Sequence, residues 1–395
     1  MSERRTRSEV RLGAAASPDA RGRIDVRIDG NEAGRPIYFQ SGDVDLAPSN
    51  EAALTSAILP AMLWNQNIVV EGPASRRFLE NLDRIEDIYH CWDARLQKVQ
   101  VRGATPVVRE RRGERVGLFF SGGVDSFYSL LKHQDEVTDL IFIHGFDIGV
   151  GDRSRLQGIG EVVRRAGERL GKRVVEVATD LRSLLEGQAL SWRRLGGGPV
   201  KAAIGHVLGA EFKRIYIAAA ETYAILVPWG GHPLLDPMWG TEALEFRRDG
   251  GESTRPEKVG RLVAHDWIVE SLRVCWRPTA DGLNCGRCEK CMRTMLILES
   301  FGALERCPTF AADLEPQRVA RIHYRGVYFL DGAREVLEAL ERSGRARALA
   351  RALRRALTRS ERSVVVSALL ETYSPRAASS FRRLDRQSRR DDSLA

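Results

Sequence analysis

The residues Ser121-Gly-Gly-Val-Asp-Ser126 have the types and order that phosphate binding requires. Gly122 and Gly123 permit a sharp turn, and Asp125 and Ser126 open a segment with helical spacing at Phe127, Leu130 and Leu131. The apolar run Val116 to Phe120 before them reads as a strand buried on both faces. A strand, a glycine turn and a helix start bring uncovered N–H groups and the positive end of a helix dipole to one point, which makes an anion site. The spacing is not that of the Walker loop, because no Gly-Lys-Ser/Thr follows four intervening residues, and the third glycine of the dinucleotide fingerprint is missing.

A second constellation is Cys275, Cys285, Cys288 and Cys291, separated by nine, two and two residues. Cys-x-x-Cys with glycine in the gap forms a tight knuckle in which thiolates converge on one tetrahedral ion. Four cysteines give a closed shell with no open position for water, so the expected ion is a structural zinc; an iron–sulfur cluster is the alternative. Cys91 and Cys307 read as fillers of apolar space. Further candidates lie in the aperiodic stretch Val227 to Gly251, where a long loop inside a compact domain is usually functional. Trp229, Trp239 and His232 suit a flat ring, and Asp236 suits its N–H groups. Beyond it, Arg255 and Lys258, with Lys201 as second choice, could neutralise charge on a transferring phosphate.

The elements that must position these groups alternate strand and helix from Val116 onward, the pattern of a doubly wound parallel α/β sheet. Expected strands are Thr138 to His144, Lys172 to Val177 and Arg214 to Ala219; expected helices are Arg153 to Leu170, Leu181 to Trp192 and Val200 to Leu208, the last preceded by a break at Gly196–Pro199. Ligands of such sheets sit beyond the carboxyl ends of the strands, which would gather Ser121–Ser126, Asp147, Asp180 and Glu221 around one crevice.

Ahead of this, residues 1–20 read as disordered and 21–112 as a small α/β domain. Its expected strands are Arg23 to Asp29, Arg35 to Gln40, Ile68 to Val70 and Leu96 to Arg102; its helices are Ser49 to Trp64, with a kink or early stop at Pro60, and Ser75 to Tyr89. Arg109 to Arg115 reads as a solvated connection. Residues 113–310 form the nucleotide and cysteine domain, 311–375 a helical extension with a strong pattern over Ala333 to Leu357, and 376–395 a basic tail.

Composition fits a soluble globular chain of 395 residues, with 43% hydrophobic and 29% charged residues. The formal charge of +8 is uneven: residues 342–395 carry 14 Arg against five acids, a net of +9, so the remainder is close to neutral. That argues against a nucleic-acid-binding catalytic body and leaves such contact to the tail. The charged start, Met1 to Arg7, leads into no apolar core, and Ala57 to Trp64 is too short for a membrane span, so a cytoplasmic location is expected.

Ser121-Gly-Gly-Val-Asp-Ser126 resembles the Ser-Gly-Gly-x-Asp-Ser loop of the PP-loop ATP pyrophosphatases, which have a HUP-like fold and cleave ATP between the α- and β-phosphates. With Cys-x₉-Cys-Gly-x-Cys-x-x-Cys-x-Arg293 following about 150 residues later, the chain resembles more narrowly the 7-cyano-7-deazaguanine synthases (QueC) over roughly residues 114–300. The resemblance implies ATP, Mg²⁺ and a structural Zn²⁺. It implies that Ser121, Gly122, Gly123, Val124 and Ser126 hold pyrophosphate, with Asp147 also in the ATP site. Asp125 would act through Mg²⁺ or a backbone contact, and Lys258 or Arg255 would neutralise charge. Glu221, Trp229, Gly231, His232, Pro233 and Asp236 would receive a carboxylate of 7-carboxy-7-deazaguanine type.

The implied reaction adenylates that acid for attack by ammonia, giving an amide and then a nitrile, or by an amine on a partner protein. No glutaminase signature supplies ammonia: residue 2 is Ser and Cys91 lacks flanking glycines. The parts outside the resemblance suggest a defence or specialised-metabolite setting. Two other readings stand beside this one: a tRNA-thiolating PP-loop enzyme, and a nucleotide-binding scaffold without catalysis. Oligomeric state is open.

Overall fold

A computed structural model describes residues 8–17, 20–29, 36–277, 283–310 and 313–373. The first stretch builds β1 (Glu9–Ala16), β2 (Arg23–Asp29), β3 (Ile37–Gln40), α1 (Asn50–Trp64), β4 (Asn67–Ser75), α2 (Arg76–Trp92) and β5 (Val101–Val107). The alternating part follows as β6 (Arg115–Phe119), α3 (Val124–Lys132), β7 (Asp139–His144), α4 (Arg153–Leu170), β8 (Arg173–Thr179), α5 (Leu181–Gly187), a π-helical turn at Trp192–Gly196, α6 (Gly197–Val207) and β9 (Phe212–Ala218). Then come β10 (Glu245–Asp249), α7 (Arg255–Leu262), α8 (Asp266–Ser271), α9 (Glu289–Ser300), α10 (Pro316–Arg321), α11 (Val327–Ser343) and α12 (Arg347–Tyr373).

All ten strands lie in one sheet, in the order β10-β9-β6-β7-β8-β3-β2-β1-β4-β5. Strands β10 through β8 are parallel to one another, and their order reverses at β6, so this half is doubly wound with its switch point at β6. Antiparallel β3 joins β8 through Phe39–Thr179 and Gln40–Ala178, which continues the sheet into the N-terminal strands. Alternation along β6 decides the layers. Phe119 packs with α1, α2, α5 and α6 on one face, whereas Leu118 and Phe120 pack with α3, α4, α7, α9 and the C-terminal helices on the other.

Several sequence expectations change here. Residues 9–16, expected to be disordered, form β1, whose Val10 is wholly buried between β2 and β4. Helix α1 passes through Pro60 without stopping, because apolar packing on nearly every side offsets the missing backbone hydrogen bond. The alternation at Leu96–Gln100 is coil, and the strand begins at Val101. Arg109 is not simply solvated: it donates to the buried Glu51 at 2.8 and 3.0 Å. The triple glycine does not break the chain: Gly196 ends the π-helical turn, and Gly197 and Gly198 open α6. The aperiodic loop contains edge strand β10, parallel to β9. The pattern over Ala333–Leu357 is two helices parted at Gly344. The basic tail from residue 376 lies outside the described residues.

Candidate functional site

The loop after the switch strand is folded by three residues. Gly122 has φ +70°, a left-handed conformation that costs glycine little, and a Cβ there would meet Val162 at 2.9 Å. Gly123 caps α3, and Ser126 Oγ accepts from the Gly123 amide at 3.1 Å and from the Ser121 amide at 3.4 Å while donating to the Gly123 carbonyl. The loop amides are therefore less bare than the sequence suggested. The first-turn amides of Val124, Asp125 and Ser126 still have no intrahelical acceptor and carry the positive end of the α3 dipole.

This loop opens onto a cavity of about 690 Å³ at the carboxyl ends of β6, β7, β9 and β10, within the roughly 300–1,000 Å³ of small-molecule sites. Its charged lining is lopsided: Arg182, Arg193, Lys201, Arg248, Arg255, Arg273, Lys290 and Arg293 face four acids, Asp125, Asp147, Glu221 and Glu289. The acids are ion-paired. Asp125 meets Arg255 at 3.1 Å and Lys258 at 3.2 Å, Asp147 meets Arg273 at 3.0 Å, Glu221 meets Arg248, and Glu289 lies 3.4 Å from Arg293. Burial alone would raise the Asp125 carboxyl, but the adjacent Arg255 and Lys258 bring it down to about 2. By contrast the side-chain ammonium groups of Lys201 and Lys290 have no hydrogen bond or ion pair to any described residue, and burial lowers the pKa of both. The Nε atoms of Arg255 and Arg273 are buried without a hydrogen-bond partner, although each guanidinium is ion-paired through a terminal nitrogen. Unpaired cations in a partly dehydrated space favour an anionic ligand.

The sequence-derived candidates divide. Ser121, Gly123, Val124, Asp125, Ser126, Asp147, Glu221, Trp229, Gly231, Lys201 and Arg255 line the cavity. Lys258 lies behind Asp125, 1% exposed, donating to Asp125 and to the Ala219 carbonyl at 2.7 Å, so it holds the carboxylate and does not itself face the cavity. Asp180 is not in the crevice; it accepts from the Tyr38 amide at 3.1 Å and fastens β3 to the sheet.

The flat-ring set is corrected more heavily. Trp239 is fully buried beside Phe78 and Tyr89, and His232 packs edge-on against Trp92. Asp236, also fully buried, pairs with Arg248 at 2.6 Å, and Pro233 lines a separate cleft of about 420 Å³. Backbone contact explains this arrangement: a Cβ on Gly198 would lie 1.9 Å from the Gly230 carbonyl, so the loop seats directly on α6 and turns these side chains inward.

What took the place of the misread aromatics comes from elsewhere. Arg193 lies 5.6 Å from the Trp229 ring, 5.2 Å from Trp276 and 5.5 Å from Phe329, and Tyr328 sits 4.8 Å from Trp229. Phe329 and Tyr328 belong to α11, in the extension outside the motif-bearing region, and the Tyr328 hydroxyl donates to the Ala220 carbonyl at 3.4 Å. No motif marks them. Lys290 had a usable signal, a cation between two cysteines at a helix start.

The four cysteine Sγ atoms lie within 4.8 Å of one another, with Cys275–Cys288 and Cys285–Cys291 each at 3.8 Å. A tetrahedral ion with Zn–S of about 2.3 Å requires S···S near 3.8 Å. Amide-to-sulfur hydrogen bonds from Arg277, Cys288 and Cys291, at 3.3 to 3.4 Å, favour thiolates. The group can hold a metal such as zinc. Magnesium fits less well: each cavity carboxylate already carries an ion pair, and among the described residues the cysteines are the only group of three or more ligands placed to hold a metal ion. No helix among the described residues is long and apolar enough to cross a membrane. Compared with known proteins, the chain matches no family model, no curated protein and no solved structure.

Proposed function

We propose that the chain is an ATP-dependent enzyme of the PP-loop type that adenylates a carboxylate and releases pyrophosphate. The observation that carries this reading is the Ser121–Ser126 loop at the switch point of a parallel sheet, opening onto a cavity in which Lys201 and Lys290 have no ion-pair partner. A carboxylate resists nucleophiles until one oxygen becomes a leaving group. Here a carboxylate oxygen would attack the α-phosphorus of ATP, and the bond from that phosphorus to the oxygen bridging the α- and β-phosphates would break. The pyrophosphate so formed leaves with its charge met by the first-turn amides of α3 and by the cavity cations. Magnesium would arrive on the phosphates, since Asp125 is committed to Arg255 and Lys258.

The preferred acid is a planar ring carboxylate of 7-carboxy-7-deazaguanine type, received by Trp229, Trp276, Phe329 and Arg193. Ammonia or an amine, including one on a partner protein, would take the acyl group in a cytoplasmic, defence or specialised-metabolite setting. Incubation with γ-labelled ATP and that acid tests the reading. Labelled pyrophosphate with AMP is expected; orthophosphate with ADP would overturn it, and no turnover with any acid would favour the scaffold reading. The colour of the purified protein addresses thiolation through a cluster: zinc leaves it colourless.

A further inference from the structure

The residues between and beside the cysteines are part of the cavity wall. Glu289 and Lys290, which separate Cys288 from Cys291, both line it, and Arg293 lines it one turn farther along α9. On the other arm of the knuckle, Val274 and Trp276 flank Cys275 and line the same space. Backbone hydrogen bonds tie this unit to the phosphate loop. The Arg273 amide donates to the Gly122 carbonyl at 3.0 Å, and Asn284, next to Cys285 and wholly buried, accepts from the Val274 and Cys275 amides at 2.8 and 3.1 Å. Cys288 also caps α9, accepting from the Cys291 amide. Two ligands of one ion thus bracket the first turn of α9, where Lys290 sits with no ion pair to keep it in place.

Resting on the reading of the loop as a phosphate site, we infer that a metal held by Cys275, Cys285, Cys288 and Cys291 organises the anion-binding wall, fixing Lys290 as a ligand for the pyrophosphate portion of ATP. Loss of the metal would free the first turn of α9 and the Cys275 arm. The sheet would persist, because the buried Leu296, Ile297 and Leu298 anchor the rest of α9 in the apolar core under α3 and α4.

The test is calorimetric titration of inorganic pyrophosphate into the full chain in three states: as purified with its zinc measured, after chelation, and after zinc is restored. Circular dichroism follows the fold in each state. Affinity is expected to fall at least about tenfold on chelation, the equivalent of about 1.4 kcal/mol, and to return with zinc while the far-ultraviolet spectrum is kept. Lys290→Gln should retain zinc and melting temperature yet bind pyrophosphate about as weakly as the chelated chain. This second arm decides the matter if chelation unfolds the protein. Unchanged affinity in chelated, folded protein, or in Lys290→Gln, would overturn the inference. Failure of the zinc-loaded chain to bind pyrophosphate at all would instead overturn the phosphate reading on which it rests.

Discussion

The cavity has two unlike walls. Along the sheet wall, the charges are answered: Arg248 by Glu221 and Asp236, Arg255 and Lys258 by Asp125, Arg273 by Asp147. On the wall built by α6 and the cysteine knuckle, Lys201 and Lys290 face the same space with no ion pair among the described residues. The first wall is complete before any ligand arrives and serves to fix positions. The second leaves charge unspent, which is what an anion site needs. Mutations should therefore separate: on the sheet wall they cost stability, and on the other wall they cost affinity.

The largest effect should come from Arg248→Met. It strands two buried carboxylates, Glu221 and Asp236, and removal of one partner from a buried ionic group costs roughly 3–5 kcal/mol. Urea denaturation measures it, and a loss below about 1 kcal/mol would mean that the two walls do not differ as described. Next is Lys201→Met, which removes a half-buried cation without an ion-pair partner. Stability should hold or rise, while pyrophosphate affinity falls about tenfold by calorimetry; equal affinity would leave Lys201 without a role. Ser126→Ala removes the hydroxyl that ties the Ser121 and Gly123 amides together. A few-fold loss of affinity is expected with little change in melting temperature, a lost cap being worth typically about 1 kcal/mol.

The smallest effect lies away from both walls and serves as a control. Glu86 is buried, and burial raises its carboxyl from 4.5 to about 7 even though the Val99 amide donates to it at 2.8 Å. A raised folded value means that the native state holds the proton more tightly than the unfolded chain. Its contribution is complete below about pH 4.5 and is lost as pH rises through about 7. Glu86→Gln should flatten the stability profile in that window and leave pyrophosphate affinity unchanged. An unaltered slope would contradict the assignment.

How much of this was legible in the sequence follows the same division. The loop, its strand and its helix were readable because glycine, apolar run and helical spacing are local signals that fall on consecutive residues. The cysteine knuckle was readable from spacing alone. The continuity of the sheet was not, since β3 meets β8 through only two residue pairs separated by about 140 positions. Asp180 was misplaced for the same reason: its partner, the Tyr38 amide, is remote in sequence. Trp239, His232 and Asp236 looked like ligands because aromatic and acidic types in a glycine-rich loop suit a site equally well inside or outside it. Only the backbone contact of Gly198 with Gly230 turns them inward. Tyr328 and Phe329 enter the cavity by tertiary packing of α11, and no local pattern announces that.

The central claim is that the outer two phosphates of ATP rest on the Ser121–Ser126 loop. A crystal structure of the chain with Mg²⁺ and an α,β-methylene analogue of ATP tests it most directly. The account predicts the β- and γ-phosphates within hydrogen-bonding distance of the first-turn amides of α3, with Lys290 in contact. Phosphates bound elsewhere, or the α-phosphate alone seated on the loop, would contradict it.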